Sequence, residues 1–333
     1  MKLRIGLLGG GSWGTTVASL VARNSPTIMW ARSAEVVDEI NQYHRNEKYL
    51  PNSTLTNSLV ASTSIKETVK DADVIVVGVP SQSFRQVLLD ARPYIRPWVP
   101  IVSLSKGLEQ DTNMRMTQII EEVMPGHPAG VLTGPNLARE ILAGQAAAGV
   151  IAMVDSTIAE ALQGVFRTGL FRVYTNDDVI GCEMGGVLKN VIAIAAGMGD
   201  GAGAGDNTRA AVITRGLAEV TRLGVAMGGK PLTFAGLAGM GDLVATCISP
   251  LSRNRYVGMQ LGMGRKLEDI INEMSMVAEG VKSCSVVMEL ARQYGVEMPI
   301  SYEVYRVIHH GSTVKDAFRG LLNMKSGAES DPG

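Results

Sequence analysis

Between Ile5 and Ala18 the chain reads IGLLGGGSWGTTVA: a short apolar run, glycines at 9, 11 and 14, and then residues that suit the start of a helix. This is the G-x-G-x-x-G pattern in the strand-turn-helix setting that gives it meaning. Gly9 permits the tight turn, Gly11 lets a pyrophosphate approach the backbone, and Gly14 lets the helix pack closely on the strand. The free N–H groups at the helix start then face an anion. In a chain with 38 glycines the pattern alone is weak and a purely structural turn competes with it. The strand before it and the helix after it favour dinucleotide binding.

At 333 residues the chain exceeds the length at which one hydrophobic core stops growing, roughly 250 to 300, so two domains are expected. After the fingerprint, apolar runs recur at Thr27–Trp30, Asp73–Val79, Pro100–Leu104, Gly130–Thr133, Ala147–Val154 and Phe171–Tyr174, with helix-like stretches between most of them. Such alternation implies a largely parallel sheet covered on both faces. Near Asp177 the texture changes to long helical patterns: Val179–Met198, Thr208–Met227, Leu267–Glu273, Ala278–Tyr294 and Ile300–His309. The expected organisation is α/β plus all-α. Residues 1–177 form the dinucleotide-binding domain, 178–324 an all-helical substrate domain, and the small, polar 325–333 a disordered tail.

Composition narrows the partners. A net charge of −1 and 5% aromatics provide neither the basic field nor the stacking surface of a nucleic-acid binder. Cys182, Cys247 and Cys284 are odd in number, far apart and without C-x-x-C spacing, which argues for buried reduced thiols over disulfides or zinc. The four histidines lack a ligand spacing, so no metal is expected. No apolar run reaches the roughly 18 residues of a membrane span, and the first strand leaves no room for a signal peptide, so the chain is expected to be cytoplasmic.

Candidate chemistry sits at strand ends and in the helical half. At the end of the second run stands Arg32, where an acidic residue would ordinarily grip the adenosine ribose; a guanidinium there suits a 2′-phosphate, the alternative being a solvated arginine. Lys106, in SLSKG, follows the run Pro100–Leu104 and is placed to face the ligand edge of an open α/β sheet, the alternative being a solvated surface lysine. Lys189 and Asn190 interrupt an otherwise small, apolar helix; such burial needs an anionic or carbonyl partner, and a lysine so placed can exchange a proton with a substrate oxygen. A lysine snorkelling to the helix surface is the competing reading. Asp242 and Thr246 are one helical turn apart and share a face. Ser252 reads as an N-cap with Arg253 and Asn254 in the first turn after it, a phosphate site in charge and geometry, although an ordinary cap beside a surface arginine has the same sequence. Two further glycine-rich pieces, Gly197–Gly205 and Gly236–Gly241, lack the Gly-Lys-Ser/Thr of a P-loop and read as a flexible loop and a tight helix-helix turn, or as ligand-enclosing segments.

In order along the chain, GGGSWGTTVA, NEKYLP, VGVPS, SLSKGLE, TGPNLARE, LKNVIAIAAGMGDG, GDNTRAAVITRGL, GLAGMGDLVATC, SRNR and VAEGVKS resemble the bacterial-type NAD(P)-dependent glycerol-3-phosphate dehydrogenase family. The resemblance covers nearly the whole chain. It implies a Rossmann-type domain joined to an all-helical domain with the substrate held between them. The implied reaction is reduction of dihydroxyacetone phosphate to sn-glycerol 3-phosphate with NADPH or NADH, supplying phospholipid synthesis. It implies Lys189 as proton donor and acceptor, and substrate contacts from Lys106, Gly134, Asn136, Lys189, Asn190, Asp242, Thr246, Ser252, Arg253 and Asn254. Cofactor contacts would come from Gly9, Gly11, Ser12, Trp13, Gly14, Arg32, Tyr49, Lys106, Ala138 and Arg253, with Val277 and Glu279 closing from the helical side. Asn136 departs from the family's usual serine or threonine, and a changed contact is expected there. The exposed helices of the second domain suit a homodimer. Dehydrogenases of similar layout acting on hydroxy acids, and a dinucleotide sensor without turnover, are the competing functions; the SRNR segment favours a phosphorylated substrate over a carboxylate, and the paired lysines favour an enzyme over a sensor.

Overall fold

The computed structural model describes residues 2–274 and 278–323. The chain forms two compact units, Met1–Val179 and Ile180–Gly333. The expected tail at 325–333 lies outside the described residues.

The first unit is built on eight strands: β1 (Ile5–Leu8), β2 (Thr27–Trp30), β3 (Leu59–Ser62), β4 (Val74–Val77), β5 (Ile101–Ser103), β6 (Ala129–Thr133), β7 (Ala147–Met153) and β8 (Phe171–Asn176). They form one sheet in the order β3-β2-β1-β4-β5-β6-β7-β8. Strand order reverses beside β1, where Ile5 pairs with Thr27 on one side and Val74 on the other. Strands buried on both faces read as unbroken apolar runs, and IGLL of β1 and VIVV of β4 are such runs. Successive side chains alternate across the sheet. Leu7, Val74 and Val76 therefore join a core with α1 (Ser12–Val21), while Leu8, Ile75 and Val77 join the opposite one with Phe84 and Leu88 of α4 (Ser81–Ala91). The remaining helices of this unit are α2 (Ala34–Tyr43), α3 (Ile65–Val69), α5 (Met116–Val123), α6 (Ala138–Leu142), α7 (Ser156–Phe166) and a 3-10 turn (Arg92–Tyr94).

Two features of the sheet escaped the sequence pattern. Strand β3 is an edge strand whose Val60 is 51% exposed, so LVAS carries too little apolar signal to stand out. Strand β7 runs antiparallel to β6, with Thr133 opposite Val150. Antiparallel neighbours need no full crossover helix, and the five-residue α6 suffices between them.

The second unit contains α8 (Val179–Gly201), α9 (Asp206–Ala226), α10 (Pro231–Phe234), a π-helical turn (Leu237–Gly241), α11 (Asp242–Ile248), α12 (Arg253–Gly262), α13 (Leu267–Glu273), α14 (Glu279–Tyr294), α15 (Pro299–His309) and α16 (Val314–Leu322). Helix α8 is its apolar axis. At 23 residues it is long and apolar enough to cross a membrane, as is the segment Pro231–Ile248, which corrects the expectation that no run reaches that length. The most apolar window of α8 is 94% buried within the protein, so its composition serves the core.

The first glycine-rich piece also needs correction. Gly197 and Gly201 lie inside α8 and pack on α12, Gly197 against Arg255 and Met259 and Gly201 against Met259 and Gly262, while 202–205 form the expected loop before α9. A Cβ on Gly197 would strike the Arg255 carbonyl, and one on Gly258 would strike that of Ile194. Two helices thus approach backbone to backbone. The second piece, Gly236–Gly241, forms the π-helical turn that leads into α11.

Candidate active site

In the first unit the site is organised by the turn after β1. Gly9 holds φ at +131°, and a Cβ there would press on the Gly78 carbonyl at 2.5 Å, where the loop after β4 passes. A Cβ on Gly14 would strike the Gly9 carbonyl, whereas one on Gly11 would meet nothing within 4 Å. Two glycines therefore serve packing, and the third leaves open space above the backbone. Helix α1 starts from Gly11 with no side-chain cap, so its N-cap leaves the first N–H groups for a ligand. This opening lies at the carboxyl ends of the strands where their order reverses, and it fits a dinucleotide pyrophosphate.

Around the turn stand the other expected cofactor residues of this unit. Ser12 opens α1. Trp13, Tyr49 and Ala138 are partly buried and pack on the same core, with Trp13 edge-on to Phe171 at 6.3 Å between centroids. Arg32 is exposed just past the end of β2. Lys106, Gly134 and Asn136 come together: the Lys106 ammonium donates to the Gly134 carbonyl at 2.9 Å and to Asn136 Oδ1 at 2.8 Å. Asn136 thus presents its side-chain carbonyl oxygen to the lysine.

The loop carrying Lys106 is pinned by residues that sequence reasoning missed. Ser105 donates to the Val79 carbonyl at 2.5 Å, Gln82 of α4 donates to the Leu108 carbonyl at 2.8 Å, and Arg85 holds Glu109 in a two-point ion pair. Arg85 holds the Glu109 carboxyl below the usual carboxylate range. Residues about 25 positions apart give no local signal of such a clamp.

In the second unit α8 carries Lys189 into the interior, its side chain 5% exposed. The lysine does not snorkel. Its ammonium pairs with the Asp242 carboxylate and donates to Thr246 Oγ1 at 2.7 Å. The Thr246 hydroxyl donates in turn to the Asp242 carbonyl at 2.6 Å, which turns its lone pairs toward the lysine. The one-turn spacing of Asp242 and Thr246 thus places both on one cation. Burial pushes the neighbouring Cys247 thiol up to about 12, so a neutral group completes the surroundings.

One turn of chain further, Ser252 caps α12, its hydroxyl accepting from the Arg255 N–H at 3.2 Å. Asn254 is buried and joins two other elements: its amide donates to Asn190 Oδ1 at 2.9 Å, and its oxygen accepts from the Gly280 N–H at 2.9 Å. Arg253 keeps solvent exposure in the first turn, yet desolvation by its surroundings holds its pKa below the usual arginine range, opposed by the attraction of Glu279, the first residue of α14. Val277, assigned to the cofactor from sequence, lies outside the described residues. Sequence reasoning also missed Asp200, near the C-terminal end of α8, whose carboxylate accepts from Arg209 and, at 2.7 Å, from Arg255 Nε. Asp200 thereby ties the first turn of α12 to α8 and α9.

A doubly wound sheet with a glycine turn open to a pyrophosphate, in a chain whose helical unit buries a lysine between a carboxylate and a hydroxyl, defines a dinucleotide-linked dehydrogenase. The family models for the N-terminus and the C-terminus of NAD-dependent glycerol-3-phosphate dehydrogenase match residues 4–159 and 178–319. The chain belongs to that family. It is 63% identical over 333 residues, all of both chains, to the NAD(P)+ glycerol-3-phosphate dehydrogenase 2 of Sphingopyxis alaskensis. It is 59% identical to the NAD(P)+ glycerol-3-phosphate dehydrogenase of Mycobacterium avium, over 98% of this chain and 96% of the relative. The crystal structure of glycerol-3-phosphate dehydrogenase from Coxiella burnetii superposes with a TM-score of 0.92 at 35% identity, covering 97% of this chain and 99% of that one.

Proposed function

We propose that the protein interconverts dihydroxyacetone phosphate and sn-glycerol 3-phosphate with NADPH or NADH, with Lys189 as the group that gives the proton to, or takes it from, the substrate oxygen. The bound nicotinamide supplies the hydride. As the ketone carbon accepts it, negative charge develops on the carbonyl oxygen and must be stabilised and protonated. The observation that carries this reading is the buried Lys189 ammonium, aimed by Asp242 and Thr246. The pair fixes the lysine's rotamer in a water-poor interior.

The substrate phosphate is assigned to the first turn of α12, where Ser252, Arg253 and Asn254 combine a helix N-terminus with a cation. Asn190, bonded to Asn254, links that turn to the lysine's helix. Lys106, held by Gly134 and Asn136, is assigned to substrate and cofactor in the first unit. For the cofactor we assign Gly9, Gly11, Ser12, Trp13, Gly14, Arg32, Tyr49, Ala138, Arg253 and Glu279, with Arg32 meeting a 2′-phosphate where NADPH binds. The domain limits that go with these roles are 1–177 for cofactor and 178–324 for substrate. A homodimer and a cytoplasmic location complete the proposal; three buried cysteines, none of them in a disulfide among the described residues, suit a reducing compartment.

Lys189→Met is the test. Turnover of dihydroxyacetone phosphate should fall by about 10² to 10⁴, the usual share of a general acid, while NADPH binding stays within about twofold of wild type. Turnover near the wild-type rate would remove Lys189 from this role.

A further inference from the structure

We infer that Asn46 is a positioning residue for the dinucleotide, a role that rests on the dehydrogenase reading above and adds a residue outside the ligand contacts. The side chain is completely buried. Its amide nitrogen donates to the Gly10 carbonyl at 3.0 Å and to the Thr15 hydroxyl at 2.9 Å. Gly10 is the middle of the glycine turn, and Thr15 is in the first turn of α1. One amide group thus bridges the backbone of the glycine turn and a side chain in the first turn of α1, the two elements between which a pyrophosphate would rest.

Asn46 also begins the segment that carries Tyr49. The N–H groups of Tyr49 and Leu50 both donate to the Asn46 carbonyl, at 3.2 and 2.8 Å, so the backbone of that turn is fixed to the residue that grips Gly10. Farther along, Thr56 N–H donates to Ser19 Oγ of α1 at 3.0 Å, and Leu50 and Leu55 are buried in the core. Among the described residues the segment is anchored to α1 at Asn46 and at Thr56, and the anchor at Asn46 is the one that touches the glycine turn. Moving Asn46 moves the turn and Tyr49 together.

The second amide atom argues in the same direction. Asn46 Oδ1 is buried and accepts no hydrogen bond among the described residues. A buried acceptor left unpaired costs stability, and an apolar side chain would avoid that cost if filling space were the only need. Asparagine supplies two N–H bonds here, and both of them hold the cofactor turn to the first turn of α1.

The experiment measures NADPH binding directly, by quenching of tryptophan fluorescence, in Asn46→Ala, in Thr15→Val and in Asn41→Ala. Asn41 is a matched control: it too holds backbone through its amide, bonding both the Ala61 N–H and carbonyl, but on β3 and away from the turn. Asn46→Ala should raise the Kd for NADPH about tenfold while leaving KM for dihydroxyacetone phosphate at saturating cofactor within about twofold. Thr15→Val, a milder cut of the same bridge, should raise Kd about threefold and decides the matter if Asn46→Ala does not fold. Asn41→Ala should lower Tm and leave Kd within about twofold. An unchanged Kd in Asn46→Ala and Thr15→Val, or an equal rise in Asn41→Ala, overturns the assignment. A wild-type protein that binds neither NADPH nor NADH overturns the dehydrogenase reading along with it, whereas normal wild-type binding with unchanged variants refutes the role of Asn46 alone.

Discussion

Asp242→Asn replaces the carboxylate facing Lys189 with a neutral amide of almost the same shape. The two side chains are 5% and 2% exposed, so water cannot take over the lost attraction, and Thr246 at 2.7 Å is left with most of the work of holding the ammonium. Removing one partner of a buried pair leaves an uncompensated charge and costs about 3–5 kcal/mol. In a unit of this size 1 kcal/mol corresponds to about 2–4 °C, so Tm should fall by about 6–20 °C. Lys189→Met should cost a similar amount, because it strands the carboxylate instead. The double variant Lys189→Met/Asp242→Asn removes both charges and should be more stable than the sum of the single losses predicts, by at least about 2 kcal/mol of coupling. Thermal unfolding followed by circular dichroism, with turnover measured on the same samples, reads all four proteins. Additive losses, or single variants within about 2 °C of wild type, would refute the description of the pair as mutually dependent.

Three further outcomes follow from the same structure. Arg253→Ala should raise KM for dihydroxyacetone phosphate by about 10- to 100-fold with little effect on Tm, since a charge-assisted bond contributes about 1.5–3 kcal/mol; an unchanged KM would remove the arginine from the phosphate site. Gly11→Ala should keep wild-type Tm and lose cofactor affinity, because its Cβ enters open space where the pyrophosphate would lie, whereas Gly14→Ala should lower Tm, because its Cβ strikes the Gly9 carbonyl; the reverse pattern would refute the division of labour among the glycines. Burial raises the Glu219 carboxyl from 4.5 to about 7 against the opposing bonds from Ile300 N–H and from the N–H and hydroxyl of Ser301. The native state thus holds this proton where the unfolded chain has lost it, and stability should decline by about 3 kcal/mol as pH rises through that window; Glu219→Gln should flatten the decline, as urea titrations from pH 4 to 8 would show.

The parts of this fold that repeat locally were legible in the sequence. The glycine turn, the buried strands β1 and β4 and the long α8 each follow from neighbouring residues alone, as do the shared face of Asp242 and Thr246 and the Ser252 cap. Contacts between distant residues were not. Asn46 meets Gly10 across 36 positions and Asp200 meets Arg255 across 55, and neither pair differs in local pattern from an ordinary polar residue. The glycines of GMGDG read as a loop because their packing partners, among them Met259 and Gly262, lie on another helix. Lys189 was ambiguous for a similar reason: a lone lysine in an apolar helix acquires meaning only when the carboxylate 53 residues away closes on it.

The most direct test of the functional account is oxidation of NADPH, and separately of NADH, by the purified protein with dihydroxyacetone phosphate, and with unphosphorylated dihydroxyacetone in parallel. Rapid oxidation that requires the phosphate and yields sn-glycerol 3-phosphate is the predicted result, and the ratio of the two cofactor rates reads the contribution of Arg32. No oxidation with either cofactor, or an equal rate without the phosphate, would contradict the account.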